Sequence, residues 1–198
     1  MSHILLPVSQ LNDQQIAKLA RLHQGVLHSL LTDLGLPIVE RYYQMACKDS
    51  TVIGFCTLSE SGQPLGWAIG SPKPDQLNGR LREPLLWFIS QMIRVLITRP
   101  RVIGQLLTSM RTVSAPLPLG AIELTYLGVE PSVRRQGIGR EVLRSFLQAA
   151  QDSKYHSVVL SVEAENKDAI ALYTMAGFRI TETFTEGNFH RNRMELTL

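Results

Sequence analysis

This chain of 198 residues has few of the features that would assign it to a class at once. Its only two cysteines, Cys47 and Cys56, lie in apolar segments without the spacing of metal ligands, which favours buried, reduced thiols over a disulfide or a zinc site. The five histidines are also scattered, without ligand or triad spacing. We therefore expect no metal.

Long hydrophobic runs are absent as well. The longest apolar stretch, residues 85–97, is interrupted by Ser90, Gln91 and Arg94, so it is too short and too polar to span a bilayer. The first residues, MSHILLPVSQLN, lack the charged start and long apolar stretch of a signal peptide. We expect a cytoplasmic protein with no integral membrane segment.

Charge of either sign is in only slight excess. Twenty Lys+Arg against 17 Asp+Glu give a net charge of +3, which is too mild to predict nucleic-acid binding. The chain has no internal repeats, low-complexity segments or linkers, and its length suits one domain over residues 1–198.

The first part of the chain predicts two helices followed by a β-hairpin. Asn12 is placed to cap a helix whose apolar residues run at helical spacing as far as Leu30, and Pro37 suits the first turn of the next helix. The segments TVIGFCTL and PLGWAIG are rich in strand-forming residues and are separated by the turn sequence SESGQ. In the second strand, Gly66 and Gly70 indicate bulges or places of close approach.

The segment from about residue 80 to residue 114 is predicted to form an insertion of two helices, a helical pair. EPLLWFISQMIRVLIT reads as one helix and RPRVIGQLLTSMRTV, beginning near Pro100, as a second. From residue 84 to residue 122 there is no carboxylate, whereas four arginines occur. We expect the pair to pack on the body of the domain with a solvated basic rim. A dimer face, a cover over a substrate and a patch for anionic lipid remain open.

The remaining segments alternate between strands and helices. AIELTYLGV predicts a strand, GIGREVLRSFLQAAQDS an amphipathic helix and HSVVLSVEA a strand buried on both faces. NKDAIALYTMA predicts a short helix closed by Gly177, and FRITETFT with HRNRMELTL predicts a final hairpin. The fold class is therefore α/β (α+β): one mixed, mostly antiparallel central sheet flanked by helices, with the insertion between the third and fourth strands.

The segment VEPSVRRQGIGREVL combines flexible backbone, dense positive charge and an immediate helix start. Gly137 and Gly139 let a ligand approach the main chain, and the first N–H groups of the helix lack intrahelical partners. Those groups and the helix dipole attract a phosphate, and Arg134, Arg135 and Arg140 add ionic contacts. The pattern is not GxxxxGK[ST], and it lacks the last glycine of a dinucleotide-binding motif.

The motif Arg134-x-x-Gly137-x-Gly139, after a strand and opening a helix, resembles the acetyl-CoA signature of the GCN5-related N-acetyltransferase (GNAT) superfamily. Residues 166–178 are similar to a second pattern of that family, N-x-x-A-x-x-L-Y-x-x-x-G-F. The order of predicted elements fits too. The resemblance is strong from about residue 123 to the end, fair for residues 51–70, weak before residue 50 and absent for the helical pair.

The resemblance implies direct transfer of an acetyl group from acetyl-CoA to an amine, without a metal. The cofactor-binding residues that it implies are Leu127, Gly128, Val129, Arg134, Arg135, Gln136, Gly137, Ile138, Gly139, Arg140, Asn166, Ala169 and Tyr173. It also implies that the main chain at positions 127 and 129 pairs with the pantetheine amides like an added strand. Asn166 is in addition expected to cap the helix that it opens.

The same resemblance implies candidate catalytic residues. Tyr173 stands where many relatives place a tyrosine near the CoA sulfur, as a proton donor to the leaving thiolate. Glu123 lies eleven residues before Arg134, the spacing of the catalytic glutamate in several relatives. Strand alternation puts Glu123 on one face with Thr125 and Leu127. Glu163 is a second candidate base, and deprotonation through ordered water is a third possibility.

The acceptor is not given by the sequence. We expect the primary amine of a small molecule, because the insertion could enclose a compact pocket, and a protein N-terminus or lysine is the alternative. A CoA-binding module without turnover, docking through the helical pair, is a different class of function that the sequence leaves open. A homodimer is possible, and no nucleic-acid partner is expected.

Overall fold

Seven strands form one sheet in the computed structural model, which describes residues 3–98, 116–186 and 189–198. The strands are β1 (His3–Pro7), β2 (Ile53–Ser59), β3 (Pro64–Ser71), β4 (Ala121–Val129), β5 (Ser157–Glu163), β6 (Arg179–Glu186) and β7 (Phe189–Thr197). Their order is β1-β2-β3-β4-β5-β7-β6, and only the β4–β5 pair is parallel. The predicted mixed, mostly antiparallel sheet flanked by helices is confirmed.

The helices follow the predicted order, with some different boundaries. They are α1 (Asp13–Val26), α2 (Leu30–Asp33), α3 (Leu36–Ala46), α4 (Pro74–Arg80), α5 (Leu85–Thr98), α6 (Ile138–Asp152) and α7 (Lys167–Met175). Asn12 caps α1 as predicted, in a reciprocal capping box with Gln15. The prediction that α1 continues to Leu30 is wrong, because the Ser29 side chain caps a separate short helix. Strand β1 and helix α4 were not predicted from residue patterning.

The predicted insertion lies between β3 and β4, and the structure describes its first helix, α5. The predicted second helix, from about residue 100 to residue 113, lies outside the described residues, as do residues 187 and 188 of the final hairpin. Among the residues that the structure describes, no helix is long and apolar enough to cross a membrane.

Two hydrophobic cores lie on opposite faces of the sheet. On one face, α1 and α3 cover Trp67 and Ile69 of β3. On the other, α6 lies across β2, β3 and β4, and its Phe146 is fully buried. A Cβ atom at Gly70 would lie 2.7 Å from Cζ of Phe146, and one at Gly66 would lie 2.6 Å from Cγ2 of Ile138. The predicted close approach at both glycines is confirmed.

A β-bulge in β4 changes which side chains share a face. Tyr126 pairs with Ile69, but the next pair is Leu124 with Gly70, so Thr125 is the extra residue. Glu123 consequently pairs with Ser71, on the face of α1 and α3, whereas Leu127 faces α6. The prediction from simple alternation that Glu123 and Leu127 share a face is wrong.

His23 is a buried polar group beneath this part of the sheet. Its Nδ1 lies 2.8 Å from the Tyr43 hydroxyl, and its Nε2 lies 3.4 Å from the Ser29 hydroxyl. Its ring meets the edge of Tyr126 at 4.7 Å between centroids. Burial lowers the pKa of His23 from 6.5 to about 4, so the imidazole is neutral in the folded protein at neutral pH.

This pKa predicts how the stability of the fold depends on pH. Between pH 6.5 and pH 4 the unfolded chain binds a proton at His23 that the folded chain does not bind, so the free energy of unfolding falls as the pH is lowered. The loss is about 3 kcal/mol. In His23→Asn, lowering the pH over the same interval should reduce the free energy of unfolding by about 3 kcal/mol less than in the unmodified protein. Urea unfolding at a series of pH values measures this difference. The exposed His28→Asn variant is the control; identical pH slopes in all three proteins would contradict the assignment.

Candidate active site

The central feature of the candidate site is a gap in the sheet between β4 and β5. The two strands are paired only at Ala121–Glu123 and Ser157–Val159. Beyond these residues β4 remains paired with β3, and β5 remains paired with β7 to its end. The edge of β4 that carries Leu127, Gly128 and Val129 therefore faces the gap. Main-chain groups on such an edge are able to pair with an extended ligand as with an added strand.

The turn that leads from β4 into α6 leaves the start of the helix accessible. Gly137 is the N-cap of α6 and has a φ of 92°, a conformation that favours glycine. A Cβ atom placed there would meet nothing within 4 Å, so open space lies beside the first turn. Because the N-cap has no side chain to accept hydrogen bonds, the first N–H groups of α6 are free to bind an anion.

The arginines of the turn differ in what they contact. Nε of Arg134 donates a hydrogen bond to the carbonyl of Val129 at 3.2 Å, which ties the turn to the end of β4. Arg135 is highly exposed and lies 3.5 Å from the Asp168 carboxylate of α7. Arg140 and Gln136 are exposed. A single arginine thus shapes the turn, and the others contribute positive charge at its surface.

The start of α7 lies beside the start of α6. A Cβ atom at Gly139 would lie 3.3 Å from Cγ2 of Val129 and 3.6 Å from Cδ2 of Leu172, so the glycine permits this close packing. Asn166 accepts a hydrogen bond from the Ala169 N–H at 3.1 Å, which confirms its expected capping role. Ile138 is buried, so its side chain belongs to the core and only its N–H can face a ligand.

Tyr173 lies on the α6 face of the sheet. It is buried in the same cluster as Leu124 and Phe146, and its ring centroid is 5.7 Å from that of Phe178. Burial raises the pKa of Tyr173 above its usual value of 10. Its hydroxyl is therefore protonated throughout the neutral range and can act only as a neutral donor or acceptor.

Glu123 lies on the opposite face, half-buried, beside a group of hydroxyl-bearing side chains. The rings of Tyr42 and Tyr126 are 5.4 Å apart. Burial raises the pKa of Tyr42 well above 10, the nearby Tyr126 and Glu123 raise it further, and a side-chain hydrogen bond with Thr125 opposes the shift. Tyr42 is thus neutral, and the charge of the Glu123 carboxylate acts on it.

Glu163 is also half-buried and lies on the same face as Glu123. The register pairs Glu123 with Val159, and alternation along β5 then places Glu163 on that side. The structure therefore puts both carboxylate candidates on the α1 and α3 face of the sheet. Tyr173 lies on the opposite face, in the core beneath α6.

Several residues around Glu123 were not identified from the sequence. Tyr42, Thr125 and Tyr126 come together because the Tyr42 side chain of α3 contacts the Tyr126 ring and hydrogen bonds with Thr125, the bulged residue of β4. A bulge leaves little trace in a strand sequence. Gly128 leaves room for the Trp67 ring on the same face, because a Cβ atom at this position would clash with that ring.

Metal chemistry has no evident site in the part of the chain that the structure describes. No three His, Cys, Asp or Glu side chains converge there in a way that could hold an ion. Both cysteines are buried and free, and burial raises the pKa of each thiol to about 12.

Solved structures share this architecture. PaiA N-acetyltransferase from Thermoplasma acidophilum, in complex with coenzyme A, superposes with a TM-score of 0.62 at 10% identity, over 100% of both chains. Arabidopsis thaliana NAA60 in complex with acetyl-CoA gives a TM-score of 0.63 at 13% identity, over 100% of this chain and 99% of that one. At these identities the likeness shows the fold.

Curated relatives are similar over part of the chain. Human N-acetyltransferase 8 is 38% identical over 60 residues, which is 30% of this chain and 26% of that protein. The mycothiol acetyltransferase of Catenulispora acidiphila is 31% identical over 111 residues, 55% of this chain and 34% of that protein. The matched region thus spans between about a quarter and a third of the length of these relatives.

The model of the acetyltransferase (GNAT) family matches residues 25–178. This range contains the gap, the turn, the starts of α6 and α7, and all the predicted site residues. The chain belongs to the acetyltransferase (GNAT) family.

Proposed function

We propose that this GNAT acetyltransferase moves the acetyl group of acetyl-CoA directly to the primary amine of a small molecule. The observation that carries the proposal is the gap between β4 and β5. An accessible helix start lies at its end, and Tyr173 and Glu123 lie on opposite faces of the sheet beside it.

The residues at the gap fit acetyl-CoA. The open first turn of α6 and the cations Arg135 and Arg140 suit a diphosphate. The edge of β4 suits the amides of an extended arm. When bound, acetyl-CoA supplies an acyl group activated as a thioester. Arg134 contributes by holding the turn against Val129.

Glu123 is proposed as the base that deprotonates the acceptor. An alkyl ammonium has a pKa of about 10.4, so it must lose its proton before its nitrogen can attack a carbonyl carbon. A half-buried carboxylate beside neutral hydroxyl groups can accept that proton directly or through water. In the transfer, a C–N bond forms at the acyl carbon and the C–S bond breaks.

Tyr173 is proposed to act on the leaving sulfur from the face of the sheet opposite to Glu123. The raised pKa keeps its hydroxyl protonated but also opposes its complete ionisation. Its contribution is therefore a hydrogen bond that stabilises negative charge as it develops on the sulfur. Base and donor on opposite faces would prevent direct exchange of the proton between them.

A small-molecule acceptor is supported by the alignment with a mycothiol acetyltransferase, which extends over more than half of this chain. Protein acceptors form the second candidate class. A structural neighbour is the Escherichia coli ribosomal-protein-S18-alanine N-acetyltransferase, at a TM-score of 0.60 and 16% identity over 99% of this chain and 94% of that one. Fold likeness at that identity carries less weight than sequence similarity. Measurement of free-thiol release with a panel of small amines and peptides tests which of the two acceptor classes the enzyme prefers.

The binding of the diphosphate predicts a charge effect at Gly137. Gly137→Glu should abolish CoA binding in calorimetry, because a carboxylate would stand at the helix start where the anion binds. Gly137→Ala carries a similar backbone strain of about 1 kcal/mol without the charge and should retain most of the affinity. Equal affinities for Gly137→Glu and the unmodified protein would contradict the proposed phosphate position.

The proposed base predicts a change in the pH profile. Glu123→Gln should lower kcat/KM roughly a hundredfold or more and remove the acidic limb of the profile, because an amide accepts no proton in this range. Glu163→Gln is the matched control and should keep the limb. Loss of the limb in Glu163→Gln alone would assign the base to Glu163, and an unchanged limb in both variants would leave deprotonation to water.

The proposed donor predicts an effect on turnover without an effect on binding. Tyr173→Phe keeps the buried ring and should lower kcat at least about tenfold, with CoA affinity unchanged in calorimetry. Tyr155→Phe, which changes a tyrosine just beyond the C-terminal end of α6, should behave as the unmodified enzyme. A Tyr173→Phe variant with full turnover would remove Tyr173 from the chemistry. CoA binding without thiol release from any amine in the unmodified protein would favour a binding module instead.

A further inference from the structure

The face of the sheet that carries Glu123 becomes polar beyond β4. Among the described residues, the core under α1 and α3 includes Tyr126 of β4 but no residue of β5, β6 or β7. Leu160 of β5 and Met194 of β7 belong to the core on the α6 face. Strand alternation therefore turns their neighbours toward the Glu123 face. Those neighbours beside the gap are Ser161, Glu163, Arg191 and Arg193.

The strand register fixes the place of Arg193 relative to Glu123. Glu123 pairs with Val159 of β5, and Val159 pairs with Glu195 of β7. Arg193 pairs with Ser161, two residues further along, where β5 has already separated from β4. Two strand spacings of about 4.8 Å and two residues of about 3.3 Å put the Cα atoms of Glu123 and Arg193 roughly 12 Å apart. A small molecule that lies on this face can contact both side chains.

Arg193 and Ser161 are cross-strand neighbours whose side chains have no protein partner. Because they are directly opposite, their Cβ atoms are about 5 Å apart. Both residues are half-buried. In the part of the chain that the structure describes, neither side chain makes a hydrogen bond, and Arg193 takes part in no ion pair. A guanidinium that is partly removed from water without a counter-charge is unfavourable, so this pair of donors suits an anionic group of a ligand.

The charges at the edges of the gap have the opposite sign. Glu123 of β4 and Glu163 at the end of β5 are half-buried carboxylates on the same face, and they attract the ammonium group of an acceptor. Arg193 lies one strand further from the gap. Glu195 and Glu182 are its neighbours in the register, but neither carboxylate lies within 4.0 Å of its guanidinium. An acceptor with an ammonium group at one end and a carboxylate at the other matches this order of charges.

We infer that the acceptor is an amino acid whose amine lies at Glu123 and whose carboxylate is bound by Arg193 and Ser161. This inference rests on the proposed acetyl transfer and narrows its substrate class. The planar guanidinium of Arg193 donates two parallel hydrogen bonds to the carboxylate, and the Ser161 hydroxyl donates another. Binding at that end orients the nitrogen toward the gap. A plain alkyl amine lacks this second point of attachment.

The test compares ω-amino acids of increasing length, from β-alanine to ε-aminocaproate, with the primary amide of each, by release of free thiol from acetyl-CoA. The amide keeps the amine and removes the negative charge. We expect kcat/KM for the best acid to exceed that for its amide at least about tenfold. Arg193→Gln should lower kcat/KM for the acid at least about tenfold, mainly through KM, and change that for the amide less than about twofold. Arg193→Lys keeps the charge without the planar fork and should give an intermediate preference.

The control is Arg144→Gln, which removes an exposed arginine from α6 on the opposite face and should leave the preference unchanged. Equal CoA affinity and thermal unfolding in all variants would show that the fold and the cofactor site are intact. Equal kcat/KM for acid and amide in the unmodified protein, or an equal loss for both in Arg193→Gln, would overturn the inference and leave acetyl transfer to amines standing.

Calorimetry of ε-aminocaproate and its amide with the CoA complex separates the two proposals if no amine releases thiol. Preferential binding of the acid, lost in Arg193→Gln, would support the carboxylate site and contradict the proposed reaction. Equal binding of acid and amide, or no binding of either, would overturn the inference.

Discussion

The parallel pairing of β4 with β5 ends after three residues, and the candidate site depends on that divergence. Each strand keeps its other neighbour, β3 or β7, so the sheet remains continuous on both sides of the gap. Main-chain groups that would complete a ladder in a regular sheet face the gap instead. The ligand-pairing edge formed in this way depends on the backbone geometry of β4 rather than on the identity of the side chains at positions 127 and 129.

Contact between α6 and the sheet fixes the position of the helix start. Gly66 and Gly70 let Ile138 and Phe146 lie directly against β3, and Gly139 lets Val129 and Leu172 of α7 both pack against the first turn of α6. These contacts leave α6 little freedom to slide or rotate. Its first N–H groups are therefore held at the end of the gap before any anion binds, and such preorganisation reduces the entropy lost on binding.

The bulge at Thr125 separates the two proposed chemical roles. Without the extra residue, Glu123 would point toward α6, on the same side as Tyr173. With it, the carboxylate lies among Tyr42, Thr125 and Tyr126, while Tyr173 stays in the opposite core. His23 supports the first group from beneath, through Tyr43 and the edge of Tyr126, so neutral polar groups extend from the core to the site.

The sequence by itself determined the order of most elements, the turn at the start of α6 and the cap of α7, because these depend on residues close together in the chain. Gly137, Asn166 and Gly177 each act within a few positions of themselves. Only the tertiary structure decided the face on which Glu123 lies, the hydrogen bond from Arg134 to Val129 and the group of tyrosines around the carboxylate. These depend on one extra residue in a strand register and on packing between elements distant in sequence, and neither leaves a local pattern in the chain.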